Sequence, residues 1–314
     1  MTTTTDSAGS RKVTGPAPST GKPAKRSTDR AQAERRLGIK LAAPAAILML
    51  AVTAFPILYA IWLSLQRYDL RNPDDNAFIG LDNYLLVLQS QTWWNAVGAT
   101  TLITVVSVLL ELIIGLAFAL VMHRAIFGRR TVRTAILVPY GIITVISAFA
   151  FAFAVAPDTG FLPGSPDPLS NTAGSFATII LTEVWKTTPF MSLLLLAGLA
   201  TVPEELQEAA KVDGATAWQR LWKITLPNMK GAIMVALLFR ALDAFRIFDT
   251  VYVQTAGALN TQTISGLGYN ALVSRVNLGL GSAISILLFL MIIVIAFVFV
   301  KLFKTNLGTV KGEG

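Results

Sequence analysis

The chain holds no cysteine and a single histidine, His123, in 314 residues. Disulfides, thiolate nucleophiles and Cys-ligated metal are excluded by that absence, and one imidazole does not make a metal site. No G-x-x-x-x-G-K-[ST] phosphate loop is present, so a Walker-type ATP site is not expected in this chain. No set of side chains for nucleophilic or acid–base catalysis is evident, and the chain is not expected to be an enzyme. Charge is also scarce. Asp, Glu, Lys and Arg make up 14% of the residues, against about 25% in a soluble domain. No internal repeat is found.

What is abundant is apolar surface: 54% hydrophobic residues and a mean hydropathy of +0.60. Too few charges remain to cover a water-facing exterior, so an integral membrane protein is expected. A bilayer-crossing helix needs about 20 mostly apolar residues. Six stretches qualify: Ile39–Leu65, Ala96–Met122, Val132–Ala156, Ser175–Ala200, Gly231–Thr250 and Gly281–Phe303. The first is too long for the apolar core of a signal peptide and is read as an uncleaved span.

The loops alternate in charge. Arg124, Arg129, Arg130 and Arg133 fall in one link, and Lys211, Arg220, Lys223 and Lys230 in another. Pro157–Gly174 has no Lys or Arg, and Gln66–Asn95 sets Arg67 and Arg71 among four aspartates. The positive-inside rule then places both termini in the cytoplasm. The fold expected is an all-α membrane protein, with six transmembrane helices in one domain over residues 37–305. A disordered basic tail is expected over 1–36 and a short tail over 306–314. The net charge of +8 is concentrated before the first span. With no stacking aromatics between those charges, it reads as a topology signal attracted to membrane lipid, with no nucleic acid partner.

Residues 201–230 interrupt the apolar pattern with TVPEELQEAAKVDGATAWQRLWKITLPNMK. Thr201 and Glu204 fit a capping box, as do Thr216 and Gln219. Gly214 suits the turn past a helix end, and Pro227 is expected to end the second helix. The first short helix carries a small face at Ala209 and Ala210, rimmed by Glu205, Glu208 and Lys211. The second sets Trp218 and Trp222 beside Ala217, Leu221 and Ile224, as suits a membrane–water interface. A plain connection needs only a few residues. This one is long and turned in its middle, which points to a docking element.

EAAKVDGATAWQRLWKITLP resembles the EAA motif of ABC-importer permeases: EAA, three residues to a Gly, then a helix closing in Leu-Pro. LAGLATVPEEL, FRIFDTVYVQT, GLDNY and GLGSAISI resemble the maltose-type sugar permeases, so the likeness covers nearly all of the chain after the basic tail. One departure is Thr255-Ala-Gly-Ala-Leu259, where many relatives carry Gly-Gly-Pro. The resemblance implies a type I importer permease fold in the cytoplasmic membrane. It also implies import of a disaccharide such as trehalose by alternating access. Its implied partners are a second permease subunit, a cytoplasmic ATPase dimer that binds ATP and Mg, and an extracytoplasmic sugar-binding protein; the chain itself carries no cofactor. It assigns Glu208, Ala209, Ala210, Asp213, Gly214 and Pro227 to contact with the ATPase. A self-sufficient ion-coupled secondary transporter is the alternative, but it leaves the EAA loop unexplained and favours repeats that are absent.

Charges inside spans cost about 2.5–3.5 kcal/mol each on insertion scales and call for a reason. Arg240, Asp243, Arg246 and Asp249 stand three apart in the fifth stretch, where helix neighbours could neutralise one another. Two readings stay open. With Phe245 and Phe248 they wall a sugar pathway, or they form a structural ion-pair ladder against a neighbouring subunit. Glu111, Glu183 and Lys186 are further intramembrane charges, the last two spaced to pair. Gly115 and Ala119 form a packing notch.

Overall fold

In the computed structural model the described residues are 26–124, 128–157, 160–161 and 167–308. The expected tail up to residue 25 and the C-terminal tail from residue 309 lie outside them, as does Asp158. The chain divides into two units, Met1–Ile57 and Leu58–Gly314. The first consists, as described, of helix α1 (Arg26–Ser64) up to Ile57. Helix therefore begins ten residues inside the stretch read as tail. Its Leu41, Ile47, Leu48 and Phe55 side chains are exposed, as a lipid-facing helix requires.

The second unit is almost entirely helical. A two-stranded ribbon, β1 (Gln66–Arg67) and β2 (Ala77–Phe78), leads to α2 (Asp82–Gln89) and the long α3 (Gln91–Arg124). Then follow α4 (Arg129–Leu137), α5 (Thr144–Val155), α6 (Thr172–Leu199) and α7 (Glu204–Val212). Helix α8 (Ala217–Arg220) runs through a π-helical turn, Leu221–Thr225, into α9 (Leu226–Asn228). Helices α10 (Lys230–Ala244), α11 (Asp249–Gln254), α12 (Ile264–Tyr269) and α13 (Leu278–Gly308) complete the unit.

Among the described residues, four helices are long and apolar enough to cross a membrane: Arg36–Ser64, Gln91–His123, Thr172–Leu199 and Leu278–Leu302. Six are reached if two bent pairs each count as one span. Residues 130–141 and 144–155 meet at 91°, and residues 217–228 and 230–244 meet at 71°. The third expected span is thus not straight, while the second bend falls at Met229, just ahead of the fifth. Pro139 and Gly141 break the third within a 3-10 turn. The fifth stops at Ala244. Its 15 residues cover only about 22 Å at 1.5 Å each, short of a core of about 30 Å. The turn Phe245–Phe248 stays as apolar as its flanks, so composition alone does not mark the break.

Helices α3 and α6 form the centre, with α10 laid across both. The notch at Gly115 is real: a Cβ there would stand 2.9 Å from Met191 Cγ, and Ala119 is fully buried. Gly198 lets α10 approach α6 in the same way, since a Cβ would collide with that of Ala232. Met191, Leu195, Met229 and Ala236 fill the space between. The exterior keeps large apolar residues exposed, among them Leu109 and Ile113 on α3 and Phe297 and Val298 on α13.

The GLDNY motif fastens the loop after α1. Gly80 takes a left-handed φ of 60°, Asn83 Nδ2 donates to the carbonyls of Ser64 and Gln66, and Tyr84 meets the Ser64 hydroxyl at 2.6 Å. The amide of Gly279 donates to Tyr68 O and that of Leu70 to Val276 O, tying this loop to the entry of α13. Its two arginines are spent locally, Arg67 on Asp75 and Arg71 on Asp69.

Candidate functional site

The intramembrane charges converge instead of running as a ladder. Arg240 on α10 is 1% exposed. Its Nε and Nη2 fork onto Glu111 of α3 at 2.5 and 2.9 Å, while Nη1 donates to Asp243 Oδ2 at 2.6 Å. Nη2 also lies 3.5 Å from Glu183 Oε2 on α6. Glu183 accepts from the Thr250 hydroxyl at the start of α11, and Glu111 from Thr187 at 2.8 Å. One buried guanidinium therefore binds α3, α6 and α10 together. Two charged oxygens matched by a two-pronged donor offset the desolvation that makes isolated buried ions so costly.

Among the described residues, Arg240 and Asp243 are the only two of these four charges that pair with each other. The break after Ala244 puts Arg246 in a turn and Asp249 at the head of α11. Neither forms an ion pair among the described residues. The expected pairing of Glu183 with Lys186 is also not made. The Lys186 ammonium sits 5.7 Å above the ring of Tyr140, a cation–π contact, while Glu183 turns to Arg240 and Thr250.

In front of this knot lies a cavity of about 610 Å³. Asp243, Arg246, Phe248 and Asp249 line it, together with Tyr140, Thr144, Glu183, Lys186, Thr187 and Thr250. It offers carboxylates, cations, hydroxyls and ring faces at once, the groups that hydrogen-bond and stack against a polyhydroxyl ligand. Two residues expected on its wall are elsewhere. Arg240 lies behind the wall, holding Asp243 and Glu183. Phe245, 4% exposed, packs with Trp93, Ile264 and Ile284 in the core. Phe248 does reach the cavity and stands in an aromatic group with Tyr252 and Tyr269, at 5.2 and 4.9 Å between ring centres. Thr144, Thr187 and Thr250 were missed by the sequence reading. The signal was there in part: hydroxyls recur along α6 at Thr178, Thr182, Thr187 and Thr188, all buried.

At the far end of α10 the charged loop is folded as two helices at a fixed turn. Asp213 follows Val212, Gly214 takes φ 77°, and the Ala215 amide bonds back to Ala210 O at 2.9 Å. That pattern closes the helix end and requires the left-handed residue. The second capping box forms: Gln219 N donates to Thr216 Oγ1 and Thr216 N to Gln219 Oε1, at 3.3 and 2.8 Å. The first does not. Pro203 starts α7, and the Thr201 hydroxyl turns back to Gly198 O, serving the end of α6.

Pro227 does not end the second helix either. The chain stays helical to Asn228 because the π turn widens one step, with the Leu226 amide reaching Leu221 O. The extra residue absorbs the hydrogen bond that proline cannot donate and relieves its ring clash. Gln207 Nε2 donates to Thr225 Oγ1 at 3.0 Å and locks the two helices together. Glu208 and Ala209 are exposed. So are Leu206 at 45%, Val212 at 88%, Trp218 at 67% and Trp222 at 55%.

Residues 111–307 match the family model described as "Binding-protein-dependent transport system inner membrane component". The chain is 57% identical over 275 residues to the trehalose transport system permease protein SugA of Mycobacterium tuberculosis, covering 86% of this chain and 90% of that one. It is 38% identical over 279 residues to the trehalose/maltose transport system permease protein MalF of Thermococcus litoralis, covering 86% and 94%. A solved bacterial ABC transporter involved in import of the acidic polysaccharide alginate superposes with a TM-score of 0.74. The two are 22% identical, with 90% of this chain and 99% of that one covered. The fold is therefore that of an ABC transporter permease. With its apolar spans, the chain is a multi-pass transport subunit of the inner membrane, not an enzyme, and it belongs to the family of inner-membrane components of binding-protein-dependent transport systems.

Proposed function

We propose that this chain is the permease subunit of an ATP-driven importer that carries trehalose, or a closely similar disaccharide, into the cytoplasm. The observation that carries the mechanism is the rigid, exposed loop from Glu204 to Asn228, joined directly to the helix bearing Arg240. A cytoplasmic ATPase dimer, holding ATP and Mg, receives α7: Ala209 and Ala210 allow close approach, and Glu208 makes a polar contact. Asp213 and Gly214 fix the angle between the two helices, and Pro227 with its π turn fixes the return into α10. Closing of the ATPases moves the loop as a lever, and α10 carries the movement to the cavity. One chain has one such loop, so a second permease subunit engages the other ATPase. A sugar-binding protein delivers the sugar from outside, and both termini lie in the cytoplasm.

In the cavity, Asp243, Arg246 and Phe248 contact the passing sugar, while Arg240 and Phe245 hold the wall from behind. The test is uptake of labelled trehalose by cells deleted for this chain and complemented with it. The reading requires ATP-dependent uptake that returns with the gene and is competed by unlabelled trehalose. Uptake that is unchanged by the deletion, or driven by an ion gradient without ATP, overturns it.

A further inference from the structure

From residue 123 to residue 157 the chain carries four arginines and not one aspartate or glutamate. Two of them, Arg130 and Arg133, stand three apart on α4, on the same flank, where like charges repel. Arg130 is exposed and Arg133 half-buried, and neither forms an ion pair among the described residues. The Arg133 Nε is buried without a hydrogen-bond partner. Among the described residues the chain supplies this half-exposed guanidinium with no acceptor, so its exposed part is open to one from outside. The helix meets the next membrane segment at 91°. Val138 before the bend, Ile143 in it and Ile146 past it are large, apolar and exposed at 55%, 66% and 56%. A basic helix turned sharply against an apolar one, with bare aliphatic side chains along the same bent segment, fits a membrane surface.

We infer that α4 binds the headgroup phosphate of an anionic phospholipid, with Arg130 and Arg133 as its ligands and Val138, Ile143 and Ile146 against its acyl chains. Both halves of the site are needed. The guanidinium fork matches phosphate oxygens in pairs, and the aliphatic patch matches a lipid tail where free phosphate has none. None of these five residues lines the cavity or belongs to the coupling loop, although Tyr140 and Thr144 of the same segment do line the cavity.

The test uses the whole importer, purified in mild detergent and reconstituted in phosphatidylcholine bilayers with or without phosphatidylglycerol. Bound lipid is counted by native mass spectrometry, with inorganic phosphate as the soluble comparator. Wild type is expected to retain phosphatidylglycerol through detergent washing and to be stabilised by it against heating, while inorganic phosphate leaves the melting temperature unchanged. Each arginine removed is expected to weaken retention about fivefold, so R130Q/R133Q loses the lipid and R130K/R133K keeps part of it. Because the lysine variant keeps the charge, a folding defect in the glutamine variant is told apart from a lost ligand. Equal retention by wild type and R130Q/R133Q overturns the inference. So does equal protection by inorganic phosphate, or a photocrosslinker at position 130 that reaches a partner subunit and no lipid.

Discussion

Arg240 and Glu111 are 129 residues apart in sequence, yet the guanidinium forks onto the carboxylate inside the helical bundle at 2.5 and 2.9 Å. Both side chains are shut off from solvent. Removing one partner leaves the other charged and buried, at a cost of about 3–5 kcal/mol. R240Q is expected to be worse than E111Q, because it strands Glu111, Glu183 and Asp243 together, while E111Q leaves Arg240 with Glu183 and Asp243. The double variant E111Q/R240Q should be more stable than the sum of the two losses predicts. Unfolding of the purified importer followed in denaturant measures all three; additive losses would contradict a direct pair.

Gly214 gives a sharper test of the loop. Its φ is 77°, yet a Cβ there would meet nothing within 4 Å. Substitution therefore acts through the backbone and not through a clash. G214N, which tolerates the left-handed region, should keep most transport. G214V should lose it, with a backbone cost of order 1–3 kcal/mol at the turn. ATP hydrolysis should continue in G214V while uptake falls. If uptake instead tracks side-chain size, with Ala above Asn, the turn geometry is not what matters.

Pro227 should behave differently. In P227A the missing amide is restored, and Leu221–Thr225 is free to tighten from π to α pitch. The return angle into α10 then shifts while the fold remains. The expected result is fewer sugar molecules moved per ATP, with melting temperature within a few degrees of wild type. Unaltered coupling in P227A would separate the π turn from the lever.

These two residues also show how much of the structure was legible in the sequence. Gly214 and the Thr216–Gln219 box were readable because their physics is local: a positive φ and a reciprocal cap are decided within a few residues. Pro227 misled for the same reason. A local rule ends a helix there, but the π turn upstream rescued it. Among the described residues four of the six apolar stretches coincide with helices of membrane length. The third instead breaks at Pro139 and Gly141, a local signal that the apolar run obscured, and the fifth gives way to the turn Phe245–Phe248, whose composition matches its flanks. The charge spacing from Arg240 to Asp249 suggested a ladder. Glu111 and Glu183, on other helices, won the guanidinium instead, and no spacing within one helix reveals that. Lys186 was placed beside Glu183 by spacing but settled over Tyr140.

Outside the membrane, the Arg71 guanidinium and amide both donate to Asp69 and hold its carboxyl at about 2, below its ordinary value of 3.8. A lowered folded-state pKa means the pair contributes fully above pH 4. That contribution fades as the pH falls toward 2. The melting-temperature difference between wild type and D69N should therefore be constant from neutral pH to about 4 and shrink below it. A difference that vanishes near pH 6 would exclude this pair as its source.

The cavity predicts its own pattern. R246Q and D249N remove groups that have no ion-pair partner among the described residues, so neither should unfold the protein. Asp243 already has Arg240, so D243N leaves a buried cation less well matched and should cost stability as well as transport. Uptake and melting temperature measured together separate the two effects. A fall in stability for R246Q or D249N comparable with that for R240Q would place them in the structural knot.

The central claim is that the loop from Glu204 to Asn228 delivers power from another protein. The most direct measurement is purification of the tagged chain from its native membrane in mild detergent, with its companions identified and counted. The account predicts an ATPase and a second permease in fixed ratio, with G214V still holding the ATPase while failing to import. A chain that purifies alone and still moves sugar down a proton or sodium gradient would contradict it.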